Sequence, residues 1–390
     1  MNTRVQPERA QPLTIRTLTE SEHAAFLAGH PTASFLQNPR WPQVKTDWRG
    51  ESVGAFDGDE LVAASLVLYR PLPVKLPVLG SKSLAYLAEG PVFDAQRVSL
   101  DALLPMLVEH LKTRGAFLIR MGLPGVVRRW AAEDVRRGLS KGEETSMHEL
   151  TPVEEDADAP ELHMELRRLG WNPPKSSEEF EAGQPQYQAR IPLVDDGGNA
   201  LDVDAVLARM DQTSRRQTRK STRSELTISV GTEADLPEWQ KLYEETAERD
   251  DFTGRPLSYF QRMYRELNAA SDTECTLYFA HLEDVPLAAA IYVRQGGFAW
   301  YVYGASSSEE RKRYAPRALQ LRQIEDALAA GCRWYDLGGL SPSLDPEYEL
   351  AGLTRFKTTM GADVVQTHGE WDYPVNPLLT KAFEVYMSRR

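Results

Sequence analysis

The chain has 390 residues, 42% hydrophobic and 26% charged, the balance of a soluble globular protein built as two domains or one large one. Its net charge of −12, from 45 basic against 57 acidic side chains, excludes a general nucleic-acid binder and confines any RNA contact to a local basic patch. No apolar run approaches a membrane span, MNTRVQPERAQP at the start lacks an apolar signal core, and two cysteines (Cys275, Cys332) are too few for a disulfide framework or cysteine metal site. A cytoplasmic protein without a transmembrane segment is the expectation.

In chain order, a polar stretch up to Pro12 is expected to fray. Leu13–Arg16 reads as a strand and Glu20–Leu27 as a short helix. The loop beginning Ser34-Phe35-Leu36-Gln37 then enters a helix carrying Trp41, Val44 and Trp48. Apolar runs on either side of Asp57-Gly58-Asp59 predict a hairpin. A short strand at Leu84–Leu87 precedes the Glu89-Gly90-Pro91 turn. Leu100–Leu111 has helical spacing and stops at Gly115, and Ala116–Met121 is the next strand. The acidic segment Glu143–Pro160 has the composition of an exposed loop or linker. Beyond it, Leu162–Leu169 reads as a helix and Tyr187–Leu193 as a strand.

The second half repeats this order. A strand pair lies within Thr276–Arg294, an aromatic strand starts at Trp300, a long helix ends at Gly331, and a strand spans Arg333–Leu337. These elements parallel Ser52–Arg70, Leu84–Asp94, the helix ending at Gly115 and Phe117–Arg120, so two copies of one α/β unit explain the pattern. Strand–turn–helix–strand is the core of a GNAT-type acyltransferase. The expected fold class is therefore α/β (α+β), two tandem GNAT-like domains with a cleft between them. The domains are placed at 1–185 and 186–364, with a C-terminal strand and helix over 365–390 free to return to the first. Val364–Trp371 is expected to be one strand.

The turn before the long helix reads Arg313-Tyr314-Ala315-Pro316. A pyrophosphate cradle needs glycines so that backbone N–H groups can approach the anion. Here proline removes an N–H and tyrosine adds bulk, which leaves no phosphate loop for coenzyme A. Proline in a first helical turn is also an ordinary start.

Leu201–Arg223 is expected to form one helix. On it, Arg215, Arg219 and Arg223 make one row and Arg216 and Lys220 a second, adjacent row. Such a face repels itself unless an anion covers it, and RNA phosphate is a fitting anion; a merely solvated face is the plainer alternative. The seven histidines are scattered, and neither a metal constellation nor a nucleophilic triad is visible.

Several landmarks then combine: Ser34-Phe35-Leu36-Gln37, Trp41, Val44-Lys45, Ala85-Tyr86, Glu89-Gly90-Pro91-Val92, Glu248-Arg249-Asp250, Arg255-Pro256, Tyr259-Phe260, Trp300-Tyr301-Val302-Tyr303-Gly304, Tyr314-Ala315-Pro316, Tyr335-Asp336-Leu337-Gly338-Gly339, Phe356-Lys357 and Gly369-Glu370. In this order the chain resembles the FemABX family of aminoacyl-tRNA-dependent peptidoglycan bridge-forming transferases, from about Ser34 to Asp372. It resembles the short form, because Leu201–Arg223 runs almost directly into Leu226–Val230 and leaves no room for a coiled-coil arm.

The resemblance implies transfer of an amino acid from aminoacyl-tRNA to the stem-peptide amine of UDP-MurNAc-pentapeptide or its lipid-linked form. It implies no cofactor, and a peripheral contact with the inner membrane face would suit the lipid-linked acceptor. By the family pattern, Lys45 and Arg255 would hold the precursor's diphosphate, with Tyr259 and Tyr303 as precursor-binding aromatics. Tyr303 equally suits strand packing, with Val302 facing the other way if the strand is regular. Lys357, delivered by a loop, would stabilise the developing oxyanion, with Phe356 beside the RNA 3′ end. Glu370 would orient the amine or simply pair with a cation. Where some relatives carry Tyr, Arg and Asp on the first unit's last strand, this chain has Phe117, Arg120 and Gly122, so only Arg120 of that substrate-binding set is kept. Arg215, Arg216, Arg219, Lys220 and Arg223 are the tRNA-binding candidates. Two other readings share the fold: an acyl-CoA- or acyl-carrier-dependent N-acyltransferase, and a non-catalytic precursor-binding module.

Overall fold

The computed structural model describes residues 13–72, 81–174, 183–270 and 272–387; the start up to Pro12 lies outside them. The chain divides into two compact units. The first comprises Met1–Gly125, Asp156–Ser176 and His368–Arg390; the second comprises Val126–Glu155 and Ser177–Thr367. Among the described residues, no helix is long and apolar enough to cross a membrane.

In the first unit, strands Thr14–Thr17, Arg49–Asp57, Glu60–Pro71, Ser83–Leu87, Ala116–Gly122 and Glu370–Tyr373 lie side by side in that order. The first four are antiparallel neighbours, whereas Ser83–Leu87 and Ala116–Gly122 run parallel. A parallel step needs a crossover, and helix Leu100–Thr113 supplies it. Its Leu100, Leu103, Leu104, Leu107, Val108 and Leu111 are buried at three- and four-residue spacing. They join Ala85, Leu87, Ile119, Met121 and Trp371 in one core, where each large side chain contributes about 1.5–3 kcal/mol.

Two landmark stretches meet inside this unit. Gln37 is fully buried; its Nε2 donates to Ala88 O at 2.5 Å, and its Oε1 accepts from Leu66 N at 2.9 Å. A Cβ on Gly90 would fall 2.7 Å from the same side chain. Gln37 and the Glu89-Gly90-Pro91 turn are thus tied together by packing, and Gly90 leaves the room that the Gln37 amide occupies.

In the second unit the order is Leu226–Gly231, Thr273–Leu282, Val285–Gln295, Phe298–Ser306, Trp334–Gly339, Tyr187–Pro192, Asp363–Thr367, Val126–Trp130, Glu154–Glu155. Its first five strands repeat the first unit's plan: three antiparallel steps, then a parallel pair bridged by helix Ala315–Ala329. The tandem acyltransferase-like architecture is present. Leu319, Ile324 and Ala327 of that helix pack on Tyr278, Ala288, Ala290 and Tyr335. Alternation puts Leu277 and Phe279 on the opposite face, where helices Leu236–Arg249 and Leu257–Asn268 contact the sheet.

Four sequence-based expectations change. The boundary drawn at 185 follows chain order, whereas residues 126–155 join the second unit. Buried Asp363 explains this, accepting from Arg129 Nη1 at 3.0 Å, Ala132 N at 3.0 Å and Arg209 Nη2 at 2.7 Å. The acidic stretch within 143–160 is no free linker: Met147 is fully buried, and Glu154 and Glu155 pair with Arg129 and Arg128 at 2.9 and 2.7 Å. The strand expected over 364–371 is two strands interrupted at His368-Gly369, with Gly369 at φ 72°. The second of these pairs with Ala116–Gly122. The helix expected over 201–223 is two helices, Val203–Arg209 and Gln212–Ser221. Met210 is extended between them, and Asp211 caps the second by accepting from Ser214 N at 2.8 Å.

Candidate active site

The parallel pair in the second unit does not stay together. Phe298–Ser306 and Trp334–Gly339 are paired only at Phe298/Trp334, Ala299/Tyr335 and Trp300/Asp336, and beyond these three the ladder stops. Two local features turn the chains apart. Asp336 Oδ1 accepts from Gly338 N at 2.6 Å, and Gly338 takes φ 81°, open to glycine. On the other strand, Tyr292 faces Tyr301 and Ile291 faces Tyr303, so Val302 is the extra residue of a bulge. The regular alternation expected around Tyr303 is therefore broken. Tyr301 packs against the core that includes helix Ala315–Ala329, whereas Tyr303 reaches Tyr259.

Lys357 comes to the parted end from helix Ala351–Thr359, a correction to the loop expected there. Its buried face is Ala351, Thr354, Lys357 and Thr358, so the lysine occupies a core-facing position. Lys357 is 7% exposed and its Nζ donates to Gly339 O at 2.5 Å. A Cβ on Gly338 would lie 3.8 Å from that ammonium. Burial pulls its pKa down to about 8, against the opposing pull of the Asp336 carboxylate. Asp336 is buried too, and Arg190 Nε donates to its Oδ2 at 2.9 Å. The neighbour Phe356 is 38% exposed.

A second group of the expected residues gathers in the same unit. Arg255 is exposed in the loop before helix Leu257–Asn268, with Cζ 5.4 Å from the Tyr259 ring centre. Tyr303 OH donates to Tyr259 OH at 3.3 Å, with Tyr243 and Phe260 packed around both. Burial, and then Tyr303, push the Tyr259 phenol well above its ordinary pKa.

The five basic residues remain a patch with one change: Arg223 lies beyond the helix, which ends at Ser221. Arg216, Arg219, Lys220 and Arg223 are exposed and Arg215 is half-buried. Arg219 reaches Asp204 at 3.3 Å. Among the described residues the other four have no carboxylate partner, so most of the repulsion is left uncompensated. Helix Gln212–Ser221 packs on helix Ala315–Ala329.

In the first unit, Arg120, Glu370 and two residues without an assigned role share one face. Tyr86 OH donates to Glu370 Oε1 at 2.5 Å. Arg120 donates from Nε and Nη2 to the two Asp372 carboxylate oxygens, both at 2.8 Å, and its Nε is 3.9 Å from Glu370 Oε2. Bonding to Asp372 pushes the Arg120 pKa up. On the next strand Glu370 stands opposite Gly122 and Asp372 opposite Arg120. Tyr86, Arg120 and Asp372 sit at one register position, a coincidence invisible without the strand order. Lys45 belongs to the same unit, just after the single helical turn Trp41–Val44, with Nζ 5.6 Å from the Trp41 ring centre. Trp48, expected on that helix, lies past its end with its ring 6.0 Å from Tyr86.

Comparison with known proteins follows this geometry. The model of the FemAB family matches residues 18–283 and 273–387. The lipid II:glycine glycyltransferase of Staphylococcus saprophyticus is 24% identical, the match covering 96% of this chain and 98% of that protein. The lipid II:glycine glycyltransferase of Staphylococcus aureus (strain COL) is 22% identical, with 94% of each covered. Among solved structures, the crystal structure of FemX superposes with a TM-score of 0.75 at 21% identity, covering 95% of this chain and 100% of that one. A tandem GNAT protein from the clavulanic acid biosynthesis pathway gives 0.50 at 10% identity, covering 94% and 99%. These likenesses establish a shared fold.

Proposed function

The chain belongs to the FemAB family, and from that premise we propose that it is an aminoacyltransferase. It moves an amino acid from aminoacyl-tRNA to the stem-peptide amine of a peptidoglycan precursor. The observation that carries the reading is Lys357, a buried ammonium at the parted ends of two parallel strands. In this reaction the precursor amine attacks the ester carbonyl carbon, the carbonyl oxygen becomes an oxyanion, and the carbon–oxygen bond to the ribose breaks. The ribose oxygen leaves with a proton and the amine gives one up. An ammonium in a low-dielectric site stabilises the oxyanion strongly. A pKa near 8 also lets Lys357 hand a proton to the leaving oxygen more readily than an exposed lysine would. An ester donor already carries the free energy for amide formation, so the reading calls for no cofactor.

On the acceptor side, each unit is taken by itself: in the first, Lys45 is a cation for the diphosphate and Glu370 with Arg120 meets the stem peptide; in the second, Arg255 is a cation for the diphosphate and Tyr259 and Tyr303 flank the precursor. The names of the relatives favour the lipid-linked form of the precursor over the UDP-linked form, and glycine as the first amino acid to try. A lipid-linked acceptor would be reached by peripheral contact with the inner membrane face of a cytoplasmic protein. The basic face of 212–223 takes the tRNA phosphates.

The test is transfer of radiolabelled glycine from glycyl-tRNA to detergent-solubilised lipid II, with UDP-MurNAc-pentapeptide and acetyl-CoA as alternative acceptor and donor. Label on the lipid-linked peptide, lost with Lys357→Met, is the expected result. Transfer from acetyl-CoA alone would overturn the RNA donor. No transfer from either donor to either acceptor would favour a binding module.

A further inference from the structure

The turn that stands in place of a phosphate loop carries side chains that the proposed reading leaves unused. Tyr314 caps helix Ala315–Ala329 in the left-handed region, at φ 59°, a conformation unfavourable for a bulky residue. Its ring centre is 5.4 Å from Lys220 Nζ, on the basic helix. One turn further on, Arg317 is half-buried, with Nη1 2.7 Å from Met360 Sδ and Cζ 5.8 Å from the centre of the exposed Phe356 ring. Among the described residues Arg317 has no carboxylate within ion-pair distance; Asp211 acts on it at longer range. A continuous series thus runs from the basic helix through Lys220 and Tyr314 to Arg317, Phe356 and Lys357.

We propose that Arg317 binds a backbone phosphate among the single-stranded 3′-terminal nucleotides of the RNA donor, and that Tyr314 and Phe356 present their rings to its bases. The inference rests on the reading of the donor as RNA. Its chemistry is that of single-strand recognition, in which a fixed cation takes the phosphate and aromatic faces take bases of any sequence. Pro316 has removed a backbone donor where a glycine cradle would hold pyrophosphate, and the guanidinium fork one residue later supplies donors from a side chain instead. A half-buried guanidinium without a carboxylate is incompletely satisfied in the free protein, and a phosphate completes it. Against Phe356, the residue before Lys357 in the chain, that phosphate would belong to the nucleotides that lead to the terminal ribose and its ester.

Fluorescence anisotropy with an uncharged RNA microhelix ending in single-stranded CCA, titrated at several salt concentrations, tests this on the full chain. Arg317→Met should weaken binding roughly tenfold or more and make the slope of log K against log salt shallower by about 0.7, the loss of one single-strand phosphate contact. Arg317→Lys, which keeps the charge without the fork, should weaken binding less and leave the slope intact. Tyr314→Leu should weaken it roughly tenfold with the slope unchanged. Arg322→Met, on the same helix but paired with Asp326 at 2.9 Å, removes a charge and should bind as wild type does. Wild-type affinity and slope in both Arg317 variants would overturn the proposal while leaving the RNA donor standing. Failure of the wild-type chain to bind the microhelix would instead remove the RNA-donor reading, and this inference with it.

Discussion

Replacing Lys357 by methionine should stabilise the fold while abolishing transfer. Burial holds the ammonium at a pKa of about 8 instead of 10.5. Each unit corresponds to about 1.4 kcal/mol, so keeping the charge in the folded state at pH 7 costs about 3 kcal/mol. Methionine has a similar length, carries no charge and gives up the bond to Gly339 O, worth about 1 kcal/mol. The net expectation is a gain of about 2 kcal/mol at neutral pH. The folded-state pKa lies below the unfolded one, so between pH 8 and 10.5 the unfolded wild-type chain binds the extra proton. Wild-type stability therefore rises with pH across that window, and the deficit is fully present below it. Urea unfolding of both proteins at pH 7 and pH 10 reads this directly: the variant should be ahead at pH 7 and nearly level at pH 10. A variant equally or less stable at pH 7, with a pH dependence parallel to wild type, would refute the reasoning, because the ammonium would then carry no desolvation cost to use in catalysis.

Three further outcomes are expected. Asp363→Asn leaves Arg129 and Arg209 without their shared buried carboxylate and should destabilise the second unit by about 3–5 kcal/mol. Limited proteolysis should then cut first within 126–155, and unchanged protection there would count against the anchor. His23 is fully buried with Nδ1 2.8 Å from Ser52 Oγ, and burial depresses its pKa to about 4. Its neutral form is favoured by folding, so stability falls as pH drops from about 6.5 toward 4, by about 3 kcal/mol in all; His23→Gln should flatten the acid limb of an unfolding curve by that amount. Gln37→Leu orphans Ala88 O and Leu66 N and should cost about 2–4 kcal/mol in chemical denaturation, whereas a loss under 1 kcal/mol would show that the two stretches do not depend on it.

Elements with strong apolar periodicity are legible in the sequence, and that is why the duplication is. The helix with Leu103, Leu104, Leu107, Val108 and Leu111 and the hairpin around Gly58 announce themselves through spacing and turn chemistry. Helix Ala351–Thr359 does not. Its sequence AGLTRFKTT buries Thr354, Lys357 and Thr358, and glycine and β-branched residues weaken its intrinsic propensity. A polar face turned inward is unreadable by a rule that equates burial with hydrophobicity. The break at Met210-Asp211 was readable in principle, since Asp211 is a favoured N-cap residue; the run of arginines beyond it draws attention to charge instead. The bulge at Val302 and the pairing of Arg120 with Asp372 have no local signature, because both depend on which strands become neighbours.

The two copies differ at the end of their parallel strand pair. In the first unit the parallel ladder persists to Leu87/Met121, nearly the full length of both strands. The chain then turns at Glu89, whose backbone N would lie 3.3 Å from a Cβ on Gly122. Backbone fills the space, and no parting occurs. In the second unit the ladder stops at its third pair, Asp336 bends its own strand by holding Gly338 N, and Lys357 donates to Gly339 O at that strand's end. A duplicated fold therefore need not mean duplicated chemistry. On the proposed reading the ester is handled by the second copy alone. The first copy, freed from that task, places Tyr86, Arg120, Glu370 and Asp372 on a face for the acceptor. A lysine introduced at the corresponding end of the first unit would meet a closed ladder and could not reproduce the site, since what Lys357 requires is the gap as much as the charge.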